Sequence, residues 1–331
     1  MCHHLNRIIF ILFCGLLLFG TRGAAQSLNF TTIDALCDVA PPTSCPNGIA
    51  RATAASGINP AGEIVGAFTD GVGKQHGFLL SQGQFTTLDF PGAVGTSANG
   101  ISPTGDIVGN YRAPVSSAPP SSPDYCPAAT SAACIKGFLY RQGKYSTVLF
   151  SGHPGAVPQR ITPDGDIYGC LHDFDTGISM FGAIWTRFGQ SSLTGSGGEL
   201  ADPSQSVPMS MNNGATPGGN MIVGLWTDMS NHRHGFVVHG GSFQSFDVPG
   251  SLLTAIWDIN PEQEFVGTYI DNTGHRHGFL QLPDGSVPIN VDVPSAAATI
   301  AFGINPDGAI VGQYTASGHT HGFLAVPSDT N

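Results

Sequence analysis

One strand–turn–strand stretch is written six times along this chain, and no other feature constrains the fold as strongly. Gly57-Ile58-Asn59-Pro60-Ala61-Gly62-Glu63-Ile64-Val65-Gly66 returns as Gly100-Ile101-Ser102-Pro103-Thr104-Gly105-Asp106-Ile107-Val108-Gly109. Worn copies begin near Arg160, Met211, Asp258 and Gly303, at intervals of 43 to 60 residues. Each copy holds four runs of strand pattern, bounded by turn residues. In the first copy these are Thr53–Ile58, Glu63–Phe68, His76–Leu80 and Gln84–Phe90. A four-stranded unit of about 40–50 residues is the period of a propeller blade. The expected fold is therefore all-β, a six-bladed β-propeller of four-stranded blades. A β-solenoid is the rival, but it needs a shorter period.

The ends of the chain support the ring. Phe30-Thr31-Thr32-Ile33-Asp34 matches Phe85-Thr86-Thr87-Leu88-Asp89, the last strand of the first repeat. The sixth repeat passes through His321-Gly322-Phe323-Leu324 and ends without such a strand. The N-terminal strand is expected to complete the last blade, which a solenoid would not explain. Residues 26–331 then form a single propeller domain, with a loop insertion at about 113–135.

Turn chemistry recurs with the repeat. Asn59, Ser102, Thr162, Asn260 and Asn305 stand where a side chain can bond its own turn, and a proline follows each. A glycine closes four of these turns, while the fifth copy has Gln263. Two further glycines occur in all six copies, one per middle strand, such as Gly66 and Gly77. Glycine inside a strand marks close approach by another group. Phe78, Phe138, Phe236, Phe279 and Phe323 follow the second of these glycines. These rings are expected to pack on the glycine surface of a neighbouring sheet.

Composition excludes several classes. The charged fraction is 11%, with 45 Gly and 24 Pro, which suits short strands and tight turns. Net charge is −11, so a phosphate backbone is repelled and nucleic acid is excluded as a partner. Residues 1–25 read as a signal peptide, with Arg7 before an apolar run from Ile8 to Phe19 and Gly23-Ala24-Ala25 as the cleavage site. That run is short of the ~20 residues a membrane span needs. The mature chain is expected to be secreted or periplasmic, monomeric, and without a membrane span. Cys37 and Cys45 are spaced like Cys126 and Cys134, and each pair reads as a small disulfide loop in an oxidising compartment. Cys170 lies in a strand pattern and reads as a buried thiol.

Candidate chemistry is sparse. Antiparallel neighbours place the start of the third strand beside the end of the fourth. His76 then faces Asp89, His234 faces Asp247, His277 faces Asp292, and His321 faces Asp34 across the ring closure. The second repeat has Lys136 and Leu149 at these places, so both partners are lost together. These pairs read as structural hydrogen bonds; four general acid/base dyads are the functional alternative. His232/His234, His275/His277 and His319/His321 form His-x-His pairs that share a strand face. A metal shared between blades is geometrically poor, and a site within one blade stays open. Trp185, Trp226 and Trp257 read as core, with carbohydrate platforms as the alternative. No Gly-x-Ser-x-Gly elbow, His-Glu-x-x-His or phosphate loop occurs, and no cofactor is implied. Propeller ligands bind at the axial mouth. Arg160 and Asp258 replace a glycine nearest the channel and break the symmetry, and Asp228, His232, Asp271 and His275 occupy loops of one face. These six are the candidate ligand-binding residues.

The runs Gly57-Ile58-Asn59, Ile64-Val65-Gly66 and His76-Gly77-Phe78-Leu79 resemble the bacterial extracellular repeats called the HAF family, over nearly all of residues 50–326. Here the middle letter of the family name is Gly. The resemblance implies secretion and repeat architecture and carries no catalytic motif. The favoured function is a secreted, non-catalytic binding or scaffold propeller for an extracellular carbohydrate or protein. The alternative is a hydrolase or lyase acting on carbohydrate or lactone at the axial mouth.

Overall fold

The computed structural model describes residues 27–35, 50–116, 122, 125–126, 133–150, 155–172, 180–192, 211–216, 221–228, 230 and 232–328. The signal-peptide segment and the pair Cys37 and Cys45 lie outside the described residues. After β1 (Leu28–Ile33), the first repeat forms β2 (Ala52–Ile58), β3 (Ile64–Thr69), β4 (Gln75–Ser81) and β5 (Gln84–Leu88). The second forms β6 (Gly95–Ile101), β7 (Ile107–Pro114), β8 (Ala133–Arg141) and β9 (Lys144–Val148). The third forms β10 (Gly155–Ile161), β11 (Ile167–His172), β12 (Met180–Thr186) and β13 (Gly189–Ser192). The fourth forms β14 (Met211–Ala215), β15 (Met221–Thr227), β16 (Arg233–His239) and β17 (Ser242–Phe246). The fifth forms β18 (Leu253–Ile259), β19 (Phe265–Ile270), β20 (Arg276–Gln281) and β21 (Ile289–Asn290). The sixth supplies β22 (Ala298–Ile304), β23 (Ile310–Ala316) and β24 (His319–Pro327).

The strands take a β-propeller arrangement. Four sheets have four strands each, and a fifth has eight. The eight-stranded sheet departs from the expected separate blades at one point. A single parallel bridge, Ala52 to Thr320, joins the first repeat to the sixth, because β24 runs beside the start of β2. β1 pairs antiparallel with β24 from Leu28↔Pro327 to Ile33↔Gly322. The first strands of the repeats touch in the cyclic order β2, β6, β10, β14, β18, β22 and back to β2.

The apolar core lies between neighbouring sheets. Val65 and Leu88 of the first repeat pack with Ala98, Ile107 and Phe138 of the second. Val266 and Leu280 of the fifth pack with Ile310 and Phe323 of the sixth, whereas Val311 of the sixth packs with Ile58 and Phe78 of the first. The alternation of each strand thus serves two interfaces, one per face, as in a stack of sheets.

The two glycines of each repeat have different jobs, and one expectation is corrected. Gly66 and Phe78 are cross-strand partners in the same sheet. A Cβ on Gly66 would lie 2.7 Å from the Phe78 ring and 2.0 Å from the Ala54 carbonyl oxygen. The ring therefore covers the glycine of its own sheet, not that of a neighbour, because the register sets the two directly opposite. Gly109 with Phe138, Gly267 with Phe279 and Gly312 with Phe323 repeat the arrangement. The other glycine faces the next sheet. A Cβ on Gly77 would lie 3.4 Å from Ala98 N, one on Gly278 3.3 Å from Ala301 N, and one on Gly322 3.4 Å from Ala55 N. The last contact links the sixth repeat to the first.

The insertion extends the hairpin of β7 and β8, whose pairing continues to Pro114↔Ala133. The Cys126–Cys134 disulfide, with Cα atoms 5.7 Å apart, closes its end. Cys170 is buried, and burial pushes its thiol up to about 12. In the native protein Cys170 is therefore expected to resist alkylation at mildly alkaline pH and to react only after denaturation; mass spectrometry checks this. Gly267→Ala should lower unfolding free energy by more than about 3 kcal/mol, as forcing Phe279 off its site forfeits a buried aromatic. Urea denaturation measures the loss, and Gly285→Ala, in an open turn at φ 73°, should cost only the ~1–2 kcal/mol of a left-handed alanine.

Candidate functional site

Every first strand of a repeat carries a β-bulge at the same place. The register with the second strand shifts between Ala55/Gly57, Ala98/Gly100, Pro158/Arg160, Asn212/Gly214, Ile256/Asp258 and Ala301/Gly303. The skipped residues are Ser56, Asn99, Gln159, Asn213, Trp257 and Phe302. A bulge leaves its extra residue outside the ladder. Its carbonyl needs another donor.

Arg160 supplies donors to four of them. Its Nη1 donates to Asn99 O at 2.8 Å and Gln159 O at 2.7 Å. Its Nη2 donates to Ser56 O at 3.0 Å and to Phe302 O. Asp258 stands against the same guanidinium, with Oδ1 3.0 Å from Nε, and its Oδ2 accepts from Ile304 N at 3.2 Å. The two form an ion pair through this contact. Burial pushes the Asp258 carboxyl up, opposed by Arg160 and by the Ile304 and Ile259 amides. Both side chains are 11% exposed. The two candidate ligand residues thus meet each other, and together they tie five of the six repeats at the axis.

Around this plug runs a belt of turn side chains. Asn59 Oδ1 accepts from Ala61 N and Glu63 N, and its Nδ2 donates to Glu63 Oε2 and, across the blade boundary, to Ser102 O at 3.3 Å. Asn260 Nδ2 reaches Asn305 O at 3.2 Å, and Asn305 Nδ2 reaches Asn59 O at 3.4 Å. Among the described residues, the Ser102 and Thr162 hydroxyls bond within their own turns, a hydroxyl being too short to cross. Gln263 takes φ 65° where the other closed turns use glycine. A cavity of about 100 Å³ opens here, floored by Arg160 and Asp258 and rimmed by Pro60, Pro103, Pro163, Pro261 and Pro306.

The remaining four candidate residues lie elsewhere. Asp228, His232, Asp271 and His275 sit in the loops between second and third strands, on the opposite edge from the proline-rimmed mouth. There the His–Asp partners meet. His76 Nδ1 lies 3.0 and 2.9 Å from the Asp89 carboxylate oxygens, and His234 Nδ1 lies 3.1 and 2.9 Å from those of Asp247. His277 Nδ1 is 2.8 Å from Asp292 Oδ2, and His321 Nδ1 is 2.9 Å from Asp34 Oδ1.

Sequence reasoning missed a second partner. The Nε2 of His76, His234 and His277 faces Asp70, Asp228 and Asp271 at 3.3, 3.5 and 3.3 Å. Each of these acids also caps its own loop, as Asp70 Oδ1 accepts from Val72 N and Lys74 N. Each imidazole stacks on its cross-strand partner: Phe68, Trp226, Tyr269 or Tyr314, with centroids 5.0, 4.8, 4.9 and 5.1 Å apart. The legible signal was an Asp six residues before the His, with Thr315 in its place in the sixth repeat. Desolvation lowers the His277 value, but hydrogen bonds and charge from Asp292 and Asp271 outweigh it and hold the imidazolium. The tryptophans are engaged too: Trp185 Nε1 donates to Leu149 O, Trp226 Nε1 to Ser245 Oγ, and Trp257 packs edge-on against Phe302.

Arg160→Gly and Asp258→Gly, each restoring the repeat's glycine, should singly cost about 3–5 kcal/mol, since each strands a buried charge. The double variant should cost less than their sum, and a thermodynamic cycle in urea reads the coupling. Burial works against the Asp70 carboxylate, yet the amides of Lys74 and Val72 and the His76 ring outweigh it and hold the carboxyl below its ordinary range. Its contribution is therefore present above the unfolded value of about 3.9 and lost as pH falls through the lower folded value. Asp70→Asn should lower Tm at neutral pH and converge with the parent in strong acid, as followed by circular dichroism.

No family model and no curated protein matches the chain. Solved structures do. A putative TolB from Agrobacterium tumefaciens aligns with TM-score 0.51 at 13% identity, over 91% of this chain and 100% of that one. An arginine-to-alanine mutant of AofleA from Arthrobotrys oligospora aligns with TM-score 0.50 at 12% identity, over 90% and 86%. TolB from Acinetobacter baumannii aligns with TM-score 0.50 at 10% identity over 81% of this chain, which spans 64% of that protein's length. At such identities the likeness carries the fold, a β-propeller, and nothing of the chemistry.

Proposed function

We propose that the chain is a secreted or periplasmic, non-catalytic binding or scaffold protein: a monomeric six-bladed propeller of HAF-repeat type, closed by β1 in the last blade. One observation carries the reading. The two ionisable groups that break the symmetry at the axis, Arg160 and Asp258, are consumed by each other and by backbone groups. An acid or base for hydrolysis has to reach substrate with its proton or lone pair available. In three of the four His–Asp units each imidazole nitrogen faces a carboxylate. The Cys126–Cys134 bridge suits an oxidising compartment. Among the described residues, no helix is long and apolar enough to cross a membrane.

The regular fold with few chemical exceptions suits recognition of an extracellular carbohydrate or protein at a mouth. Purified protein should bind immobilised glycans or a secreted partner and leave glycosides and lactones intact. Substrate turnover that co-purifies with the chain through several columns would install the hydrolase or lyase reading instead.

A further inference from the structure

The loops at 228–234 and 271–277 share the spacing Asp-x-x-x-His-Arg-His. In each, one carboxylate oxygen faces two imidazoles. Asp271 Oδ2 is 3.3 Å from His277 Nε2 and 3.9 Å from His275 Nδ1. Asp228 Oδ2 is 3.5 Å from His234 Nε2 and 3.6 Å from His232 Nδ1. Two donors bonded at ~2.0–2.1 Å to one tetrahedral ion lie ~3.3 Å apart. The inner contacts, at 3.3 and 3.5 Å, lie near such an edge, and the outer ones, at 3.9 and 3.6 Å, are longer.

The inner imidazole of each loop is oriented as a metal ligand would be. His277 gives Nδ1 to Asp292, and His234 gives Nδ1 to Asp247, so each turns Nε2 toward the loop carboxylate. A carboxylate behind a ligating imidazole fixes its tautomer and its aim. The outer imidazoles, His275 and His232, are 70% and 67% exposed. In the rotamers present, no three such side chains among the described residues are set to hold an ion. Binding of all three groups to one ion requires rotation of the outer ring. In the 271–277 loop it gives up the 2.7 Å contact between His275 Nδ1 and Thr273 Oγ1.

We propose that each loop binds one divalent ion of the zinc class, through Asp271, His275 and His277 in the fifth repeat and Asp228, His232 and His234 in the fourth. Two imidazoles and a carboxylate suit a borderline divalent cation better than calcium or magnesium. The ion takes the Nε2 lone pair of the inner His, and the proton there goes to solvent. The Nδ1–H bond to Asp292 or Asp247 is kept. A fourth position is left for water or an outside ligand. In the fourth repeat it adjoins a cavity of about 310 Å³ lined in part by Asp247, Ser251 and Leu252.

The other repeats are internal controls. The first has Lys74 for the outer His, and the sixth has Thr315 for the Asp, so neither completes the set. The test uses the whole protein, stripped with a chelator and dialysed. It is titrated near neutral pH with zinc chloride by calorimetry and with cobalt by visible absorption. The expected result is two ions per chain. His275→Ala and His232→Ala should each remove one, and the double variant should remove both. Melting in chelator should stay at the parent value, because both rings are exposed. His319→Ala should leave both ions in place. Absence of saturable binding, or unchanged stoichiometry in the double variant, overturns the proposal. Loss of an ion in His319→Ala overturns the requirement for the carboxylate and the ligand assignment with it.

Discussion

A carbonyl without a ladder partner is the constraint on which the centre of this molecule depends. Each innermost strand bulges once, and each bulge turns a carbonyl out of its sheet. Four of these carbonyls, those of Ser56, Asn99, Gln159 and Phe302, converge on one place and make a site of concentrated negative potential. Water or a cation has to answer it. The chain answers from within, by writing Arg160 where most copies have glycine and Asp258 where its charge is balanced. A guanidinium suits the task because its planar fork offers five donors in fixed directions. The ion pair is then less an exception to the repeat than the completion of it.

The same logic of close approach governs the space between sheets. Glycine in the third strand lets the next repeat's inner strand come near, and glycine in the second strand lies under the phenylalanine of its own sheet. Removing a side chain at two places therefore does opposite things: one brings sheets together, the other makes room for the ring that fills the sheet's face. Aromatic cover over a strand glycine recovers the burial that glycine itself lacks. Because the cores fall between neighbours, each sheet is stabilised only by having two of them, and the arrangement favours a closed ring over an open stack.

Much of this was legible in the residues, for physical reasons. Strand period, turn chemistry and the stranded copy at Phe30–Asp34 all express local rules that a one-dimensional pattern records. The His–Asp partners were legible because antiparallel neighbours put known positions side by side. The direction of Phe78 was not, since it depends on the register between β3 and β4 and on which face the pleat presents. Arg160 and Asp258 were conspicuous as departures, but their meeting was not. It follows from the bulge, and a bulge leaves no mark in hydrophobic alternation. Asp70 passed unnoticed because its spacing to His76 spans a loop, where residue type says little about where the side chain lands.

The pairing of β1 with β24 carries a further consequence, in time. Asp34 and His321 are partners across 287 positions, and Ser27 meets Ser328 across 301. Synthesis from the N-terminus presents β1 first and β24 last. For the whole of that interval β1 has no partner, and its open edge is a hazard for pairing with the wrong strand. Pairing of β1 with β24 has to wait for the last repeat, and it is slowed by the long loop that has to be drawn in. A chain that lacks the last repeat cannot pair its first strand with β24 and is left with an exposed edge.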